Sequence, residues 1–200
     1  MPLCNRPAQL DDAIGRLSSW DVPAMLVEDR DDYLRFLDDH GVAALDRDGG
    51  PAHLTASCFV FNLRLTHVLL CFHRKGQFWV QVGGHIDTTD ETLVAAALRE
   101  AREESGLAEL SVVDGVLDLD RHRLSSAFGR CAMHWDVGFA VLSPRHTPHV
   151  SDESEQVAWF PVGALPEQLA SSVSRRIDVM LGQLHRVQPR DPHVDGFRSA

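Results

Sequence analysis

Apolar residues recur at two different spacings along this chain, and the change of spacing divides it. Near the N-terminus they recur at helical spacing in residues 8–17 (AQLDDAIGRL) and in residues 28–41 (EDRDDYLRFLDDHG), where Gly41 suits a C-terminal cap. Residues 46–51 (DRDGGP) have the composition of a linker. We therefore expect an N-terminal helical extension over residues 1–50, a main domain over residues 51–186 and a polar C-terminal tail over residues 187–200.

From residue 55 onward the apolar positions form short runs rich in β-branched and aromatic residues, as in strands. These runs cover residues 55–63, 67–72, 78–82, 110–120, 131–143 and 155–162, and a hairpin turn is predicted around Gly76. Helical spacing returns within residues 82–107 and in residues 162–169 and 171–187. This order of elements indicates an α/β fold in which helices pack on the faces of a mixed sheet.

Composition and charge narrow the class of protein. The chain is 44% hydrophobic and 24% charged, which is enough to fill a core, and its formal net charge of -10 argues against a nucleic-acid partner. No apolar run is long enough to span a membrane, and the N-terminus lacks the pattern of a signal peptide, so we expect a cytoplasmic protein without a membrane partner. Cys58, Cys71 and Cys131 lie in strand-like runs without Cys-x-x-Cys spacing, which favours reduced, buried thiols.

Three glutamates crowd one face of the central helix. Residues in a helix are 100° apart, so Glu100, Glu103 and Glu104 share an arc of about 100°, although like charges at these spacings repel by a few tenths of a kcal/mol. Carboxylate oxygens that converge from one face suit Mg²⁺ or Mn²⁺, which bridge to phosphate oxygens. A solvated helix with an acidic face is the alternative, and spacing alone does not exclude it.

The residues around these glutamates resemble a known motif. Residues 99–107 (REAREESGL) resemble the Arg-Glu-apolar-x-Glu-Glu-x-Gly-apolar segment of the Nudix hydrolase box, and Gly84 stands where the box has its leading glycine. The box usually has five residues between this glycine and its first glutamate, whereas six separate Gly84 from Glu91. Either Asp90 takes over the first acidic role or the loop bulges. Thr88 and Glu91 have the spacing of a capping box, which places the start of the helix near Thr88.

The resemblance covers roughly residues 55–169 and implies both a fold and a reaction. The implied fold is a Nudix-type α/β/α sandwich around a mixed β-sheet. The implied reaction is hydrolysis of a pyrophosphate linkage in a nucleoside diphosphate joined to another group, by attack of water on phosphorus with a divalent metal ion. The substrate would be a small nucleotide-like diphosphate, and the resemblance leaves a homodimer open.

The resemblance also implies roles for the residues of the motif. Glu103 and Glu104 are the main expected ligands of Mg²⁺ or Mn²⁺, with the Gly84 carbonyl as a third. Glu100 is either a ligand or the base that activates water, and Arg99 is expected to orient a glutamate through a charge-assisted hydrogen bond. A metal held in this way lets an acidic helix bind an anionic substrate.

Further candidates lie outside the motif. Many family members use a carboxylate beyond the box as a base or extra ligand, and Glu153 and Glu155 occupy that region. The candidates for the substrate pocket are His85, His122, Phe128, His134 and Asp136. His134 and Asp136 share a strand face, but nothing in the sequence brings His122 to them, which disfavours a metal site of two histidines and one carboxylate. Arg175 and Arg176 are expected on a solvated helix face.

Two classes of function remain after this reading. The first is a metal-dependent Nudix hydrolase. The second is a catalytically inactive Nudix-fold module that binds a nucleotide or has a regulatory role. The complete acidic set favours the enzyme, because inactive relatives commonly lose it. An isoprenoid diphosphate isomerase of the same fold would need a catalytic cysteine and glutamate in their own context, and no convincing counterpart surrounds Cys58, Cys71 or Cys131.

Overall fold

The computed structural model describes residues 5–124, 131–149 and 154–187, and it has two N-terminal helices followed by a mixed sheet flanked by helices. The elements are α1 (Arg6–Ser19), α2 (Val27–His40), β1 (Ala52–Asn62), β2 (His67–His73), β3 (Phe78–Val80), β4 (Val82–His85), α3 (Leu93–Ser105), β5 (Ser111–Arg123), β6 (Met133–Ser143), β7 (Ser154–Pro161) and α4 (Val173–Val187). Short 3₁₀ helices, Ala24–Leu26 and Gly41–Leu45, flank α2.

Strand β1 is the centre of the sheet. It pairs in parallel with β6 on one side, and on the other it pairs antiparallel with β4 through residues 55–58 and with β2 at Phe61. Strand β5 extends the sheet beyond β6, while β3 and β7 both pair antiparallel with β2. The predicted mixed sheet is therefore confirmed.

The two faces of the sheet carry separate hydrophobic clusters. Side chains alternate between the faces of a strand, so Ala56 and Cys58 of β1 pack with α1, α2 and α3, whereas Phe59 and Phe61 pack with α4. Helices cover both faces, which confirms the α/β/α architecture. Among the described residues, no helix is both long enough and apolar enough to cross a membrane.

The N-terminal helices share their core with the sheet. Leu17 of α1 and Tyr33 and Leu37 of α2 are fully buried in the same cluster as Ala97 and Ala101 of α3. Burying each such side chain contributes about 1.5–3 kcal/mol relative to exposing it. Residues 6–40 are thus held against the face of the sheet that carries α3.

Two local predictions were wrong, and a third lies largely outside the described residues. Helix α3 begins at Leu93 with Thr92 as its N-cap, five residues after the capping box predicted at Thr88 begins, and Glu91 is exposed. Residues 162–169 form turns and bends rather than a helix, because Gly163 and Pro166 both disfavour helix. The expected C-terminal tail lies outside the described residues except for Val187.

Candidate functional site

Helix α3 presents its glutamates along the edge of a buried surface. At its N-terminus, the Thr92 hydroxyl accepts a hydrogen bond from the Ala95 N–H at 3.1 Å, and Asp12 of α1 accepts one from the Leu93 N–H at 2.9 Å. Its buried side is built from small and apolar residues: Leu93, Ala96, Ala97, Ala101 and Ser105. This packing fixes the rotation of the helix, so the acidic side lies next to the sheet rather than opposite it.

Strand β4 brings its backbone against the acidic side of α3. The Gly83 N–H donates to Glu104 Oε2 at 2.8 Å. A Cβ on Gly83 would lie 2.4 Å from the Ser57 Cα of β1, and a Cβ on Gly84 would lie 2.7 Å from the Glu100 carboxyl carbon. Gly83, whose φ is +151°, therefore needs to be glycine for the strand to fit against β1, whereas a Cβ on Gly84 would displace the Glu100 carboxylate. The carboxylates of Glu100 and Glu104 thus gather at this backbone.

Arg99 connects the acidic residues to one another. Its Nη1 donates to Glu100 Oε1 at 2.9 Å and to Glu103 Oε2 at 3.1 Å, and its Nη2 donates to the His85 carbonyl at 2.9 Å. The hydrogen bonds that Arg99 donates to the Asp90 carboxylate raise the pKa of Arg99 further above its usual value, so the guanidinium stays charged. Such a charge-assisted fork orients both carboxylates.

Asp90 lies near the end of the loop that joins β4 to α3. Its two carboxylate oxygens accept from Arg99 Nε and Nη2 at 3.0 and 2.9 Å, and Oδ2 also accepts from the Asp87 N–H at 2.8 Å. Asp90 is 6% exposed, whereas Glu91 is exposed. Of the two alternatives that the sequence left open, the geometry favours Asp90 over Glu91 for the first acidic role of the motif.

Helix α1 holds this loop from outside the predicted motif. Gln9, which is fully buried, donates through Nε2 to the carbonyls of Asp87 at 2.7 Å and Asp90 at 2.5 Å. Arg6 donates to the Ile86 carbonyl at 3.1 Å. These contacts were not predicted from the sequence, because about 80 positions separate the two residues from the loop and no local spacing indicates such a contact.

Four histidines meet where β1, β4, β5 and β6 lie side by side. His134 is the register partner of both His53 and His122, with ring centroids 4.9 and 5.3 Å apart, and His85 lies 5.0 Å from His53. Burial and the neighbouring His85 lower the pKa of His53 to about 4, and burial and His53 lower that of His134 to about 3. Both imidazoles are therefore neutral at neutral pH.

Neither His53 nor a role for Cys131 was anticipated from the sequence. Cys58 and Cys71 are buried, reduced thiols, as predicted. Cys131 precedes β6 and is only half-buried, and its sulfur lies 3.5 Å from His53 Nδ1. The available signal was a histidine at the second position of both strand runs, AHLTAS and MHWDVG. It indicates that the two histidines meet only once the parallel register of β1 and β6 is known.

Asp136 lies beneath these histidines and is 3% exposed. Its carboxylate accepts from the hydroxyls of Thr55 and Ser57 at 2.9 and 2.6 Å and from Arg176 Nη2 at 2.7 Å. Burial raises the pKa of this carboxyl, but Arg176 and the Ser57 hydrogen bond outweigh burial and hold it below its usual value. A contact between Asp136 and substrate stays a prediction, and protein donors surround this carboxylate.

The prediction of a solvated face for Arg176 was wrong. This arginine is 1% exposed, and its Nε also donates to Asp118 Oδ2 at 2.5 Å. Two aspartates on neighbouring strands draw the guanidinium inward, and Gly138 leaves the room for it. Arg175, by contrast, is about half exposed.

The remaining predicted site residues lie wholly or partly outside the described part of the chain. Phe128 and Glu153 lie outside the described residues. Glu155 belongs to β7, but its side chain is not among those described. Their assignments to stacking, to base catalysis or to metal ligation stay predictions.

Comparison with known proteins gives a family match over most of the chain. Residues 51–180 match the family model of the NUDIX domain. A search of curated proteins gave no match.

Many solved structures share the fold. They include a C. elegans Ap4A hydrolase binary complex (14% identity, 66% of this chain and 98% of that chain covered, TM-score 0.57). They also include the E. coli dihydroneopterin triphosphate pyrophosphohydrolase (18% identity, 64% and 95% covered, TM-score 0.53). A third is the NUDIX domain of Shewanella oneidensis NrtR complexed with ADP ribose (21% identity, 66% and 87% covered, TM-score 0.51). At these identities the likeness shows the shared fold.

Proposed function

This chain belongs to the Nudix hydrolase family, and we propose that it uses Mg²⁺ or Mn²⁺ to hydrolyse the pyrophosphate linkage of a nucleoside diphosphate joined to another group. The observation that carries this proposal is the gathering of the Glu100 and Glu104 carboxylates against the backbone of Gly83 and Gly84. The space that a Cβ of Gly84 would fill is bordered by carboxylate oxygens, the donors that hard divalent cations prefer.

The charges at this site also call for a cation. Three carboxylates, those of Asp90, Glu100 and Glu103, share the single guanidinium of Arg99, and Glu104 lies beside them. Two like charges 4 Å apart repel by about 1 kcal/mol in water and by about 4 kcal/mol at the effective dielectric constant near a protein surface. A diphosphate that approached this face without a counterion would meet several such repulsions at once.

Glu100, Glu103, Glu104 and the Gly84 carbonyl would hold the metal ion. Bound there, it would polarise phosphoryl oxygens and lower the pKa of coordinated water. Arg99 keeps the carboxylates of Glu100 and Glu103 oriented, and its own position is fixed by Asp90. Glu100, whose side chain is largely buried next to Arg99, serves as a ligand or as the base that accepts a proton from water.

The histidines that adjoin β4 are proposed to line the other end of the substrate site. His85 directly follows Gly84, the ring centroid of His134 lies 5.5 Å from that of His85, and His122 lies on the next strand beyond His134. A neutral imidazole at His134 can accept or donate a hydrogen bond to a sugar or a base, but it adds no positive charge for a phosphate. The phosphates would therefore lie toward α3 and the organic group toward the histidines.

The test is a substrate screen with purified protein and Mg²⁺ or Mn²⁺. Diadenosine tetraphosphate, ADP ribose, nucleotide sugars and nucleoside triphosphates all contain the linkage in question, and we expect turnover of at least one of them. Glu104→Gln should lower kcat by roughly 100-fold or more, the scale seen when one charge-stabilising group is removed from an active site. Glu109→Gln is the matched control, because Glu109 is exposed and pairs with His146 just beyond α3.

Thermal melting of both variants separates a catalytic loss from unfolding. Wild-type rates for Glu104→Gln at saturating Mg²⁺ would show that the metal assignment is wrong. Binding of ADP ribose without turnover of any compound, measured by calorimetry, would instead favour the non-catalytic nucleotide-binding module.

A further inference from the structure

A second group of metal-ligating side chains lies on the sheet, apart from the acidic side of α3. His53 of β1, Cys131 before β6 and His134 of β6 each point one ligand atom toward the others, and these three atoms all lie within 4.8 Å of one another. The parallel pairing of β1 and β6 places His53 directly beside His134, and the backbone of residues 131–133 is tied to Pro51 by two N–H to carbonyl hydrogen bonds.

The spacing of these atoms matches the needs of a tetrahedral metal ion. With metal–sulfur and metal–nitrogen bonds of about 2.3 and 2.0 Å, the sulfur and nitrogen ligands of zinc stand about 3.5 Å apart. The observed distance from Cys131 Sγ to His53 Nδ1 is 3.5 Å. The other pairs of ligand atoms lie within 4.8 Å of one another, so a bound ion would draw them together by up to about 1.5 Å.

The chemistry of this set differs from that of the acidic helix. Two imidazoles and one thiolate are the ligands of Zn²⁺ and related borderline ions, whereas Mg²⁺ takes oxygen ligands and binds such a set poorly. His53 is buried, while Cys131 and His134 are partly exposed, so an ion in solution can reach the site from one side. Binding would release the Cys131 thiol proton to solvent.

We propose that His53, Cys131 and His134 form a binding site for Zn²⁺, with three protein ligands and a fourth position open to water. This site is separate from the carboxylates of α3 and would be occupied in the presence of excess Mg²⁺. It adjoins His85 and His122, so the bound ion would face the region assigned above to the organic end of the substrate.

The competing explanation is a thiol that only hydrogen-bonds to its neighbours. Cys131 Sγ lies 3.7 Å from the Met133 carbonyl and 4.0 Å from that of Pro51, as well as near His53. These contacts are long for hydrogen bonds. If the thiol did no more than make them, the protein would not bind a metal ion tightly at this position. Metal titration distinguishes the two explanations directly.

The experiment titrates Co²⁺ and Zn²⁺ into the 200-residue chain with Mg²⁺ in large excess. We expect one Co²⁺ per chain, with intense visible bands typical of a tetrahedral ion and a near-ultraviolet band from thiolate-to-cobalt charge transfer, both displaced by Zn²⁺. Cys131→Ser should abolish the charge-transfer band. His53→Gln should weaken Zn²⁺ binding by more than the 10- to 100-fold typical of losing an outer-shell partner.

The controls use residues of the same type elsewhere in the chain. Cys4→Ser and His185→Gln should leave the spectrum and affinity unchanged, since His185 is exposed in the last turn of α4. Circular dichroism checks that each variant folds, and His53→Gln tests the site with the cysteine intact if Cys131→Ser does not fold. An unchanged cobalt spectrum in Cys131→Ser, or equal Zn²⁺ affinity in His53→Gln and wild type, would overturn the proposal.

Discussion

Gln9 connects a helix outside the matched family region to the loop that precedes the acidic helix. Its amide donates to the Asp87 and Asp90 carbonyls, and Asp90 in turn holds Arg99. We predict that Gln9→Met, which keeps the length of the side chain and removes both donors, will loosen this loop. The looser loop should raise the Mg²⁺ concentration needed for half-maximal activity and lower kcat.

The size of the effect follows from the burial of the two acceptors. The bond to the Asp90 carbonyl is buried, and leaving such a group without a partner costs about 1–3 kcal/mol. The Asp87 carbonyl is partly exposed and can recover a hydrogen bond from water, so its loss costs about 0.5–1.5 kcal/mol. A total of about 1.5–4.5 kcal/mol corresponds to a fall in Tm of roughly 3–18 °C for a domain of this size.

Gln183→Met is the matched control. Gln183 is also buried, and its amide donates to the Leu117 carbonyl at 2.6 Å, but it belongs to α4 on the opposite face of the sheet from α3. Both variants should melt at lower temperature than the wild type. Only Gln9→Met should change kcat and the Mg²⁺ dependence when both are assayed well below their melting temperatures. Equal kinetics for the two variants would show that α1 stabilises the fold without positioning the site.

Two further predictions concern the loop and the histidines. Asp90→Asn should lower kcat by roughly tenfold or more through loss of the charge that orients Arg99, whereas Glu91→Gln, at an exposed position, should leave steady-state rates within twofold of wild type. The low pKa values of His53 and His134, about 4 and about 3, mean that the unfolded chain takes up protons first as pH falls below about 6.5. In the presence of a chelator, the free energy of unfolding measured by denaturant titration should therefore decrease from pH 6.5 toward pH 4, and His53→Gln should show a shallower decrease.

The parts of the structure that the sequence predicted correctly depend on short spacings. The face shared by Glu100, Glu103 and Glu104 follows from the helical repeat, and the strands follow from their apolar runs. In each case the residues concerned lie within about two turns of one helix or within one strand.

The parts that it could not predict depend on which distant elements become neighbours. Arg176 looks like a surface residue in its own helix, and only Asp118 and Asp136, from β5 and β6, explain its burial. Removing one partner of a buried ion pair destabilises a protein by about 3–5 kcal/mol. This pair is therefore important for stability, although no local sequence pattern predicts it. His53 and His134 likewise meet only through the register of two parallel strands that are about 80 residues apart.

The loop before α3 depends on residues both inside and outside the matched family region. The family match begins at residue 51, yet the buried carbonyl of Asp90 is satisfied by Gln9, and the first N–H of α3 is satisfied by Asp12. A domain that began at residue 51 would leave both groups without these partners, next to the residues proposed to bind the metal. Helix α1 therefore completes the hydrogen bonding of this loop, and we infer that the functional unit of this protein includes α1 as well as the region of the family match.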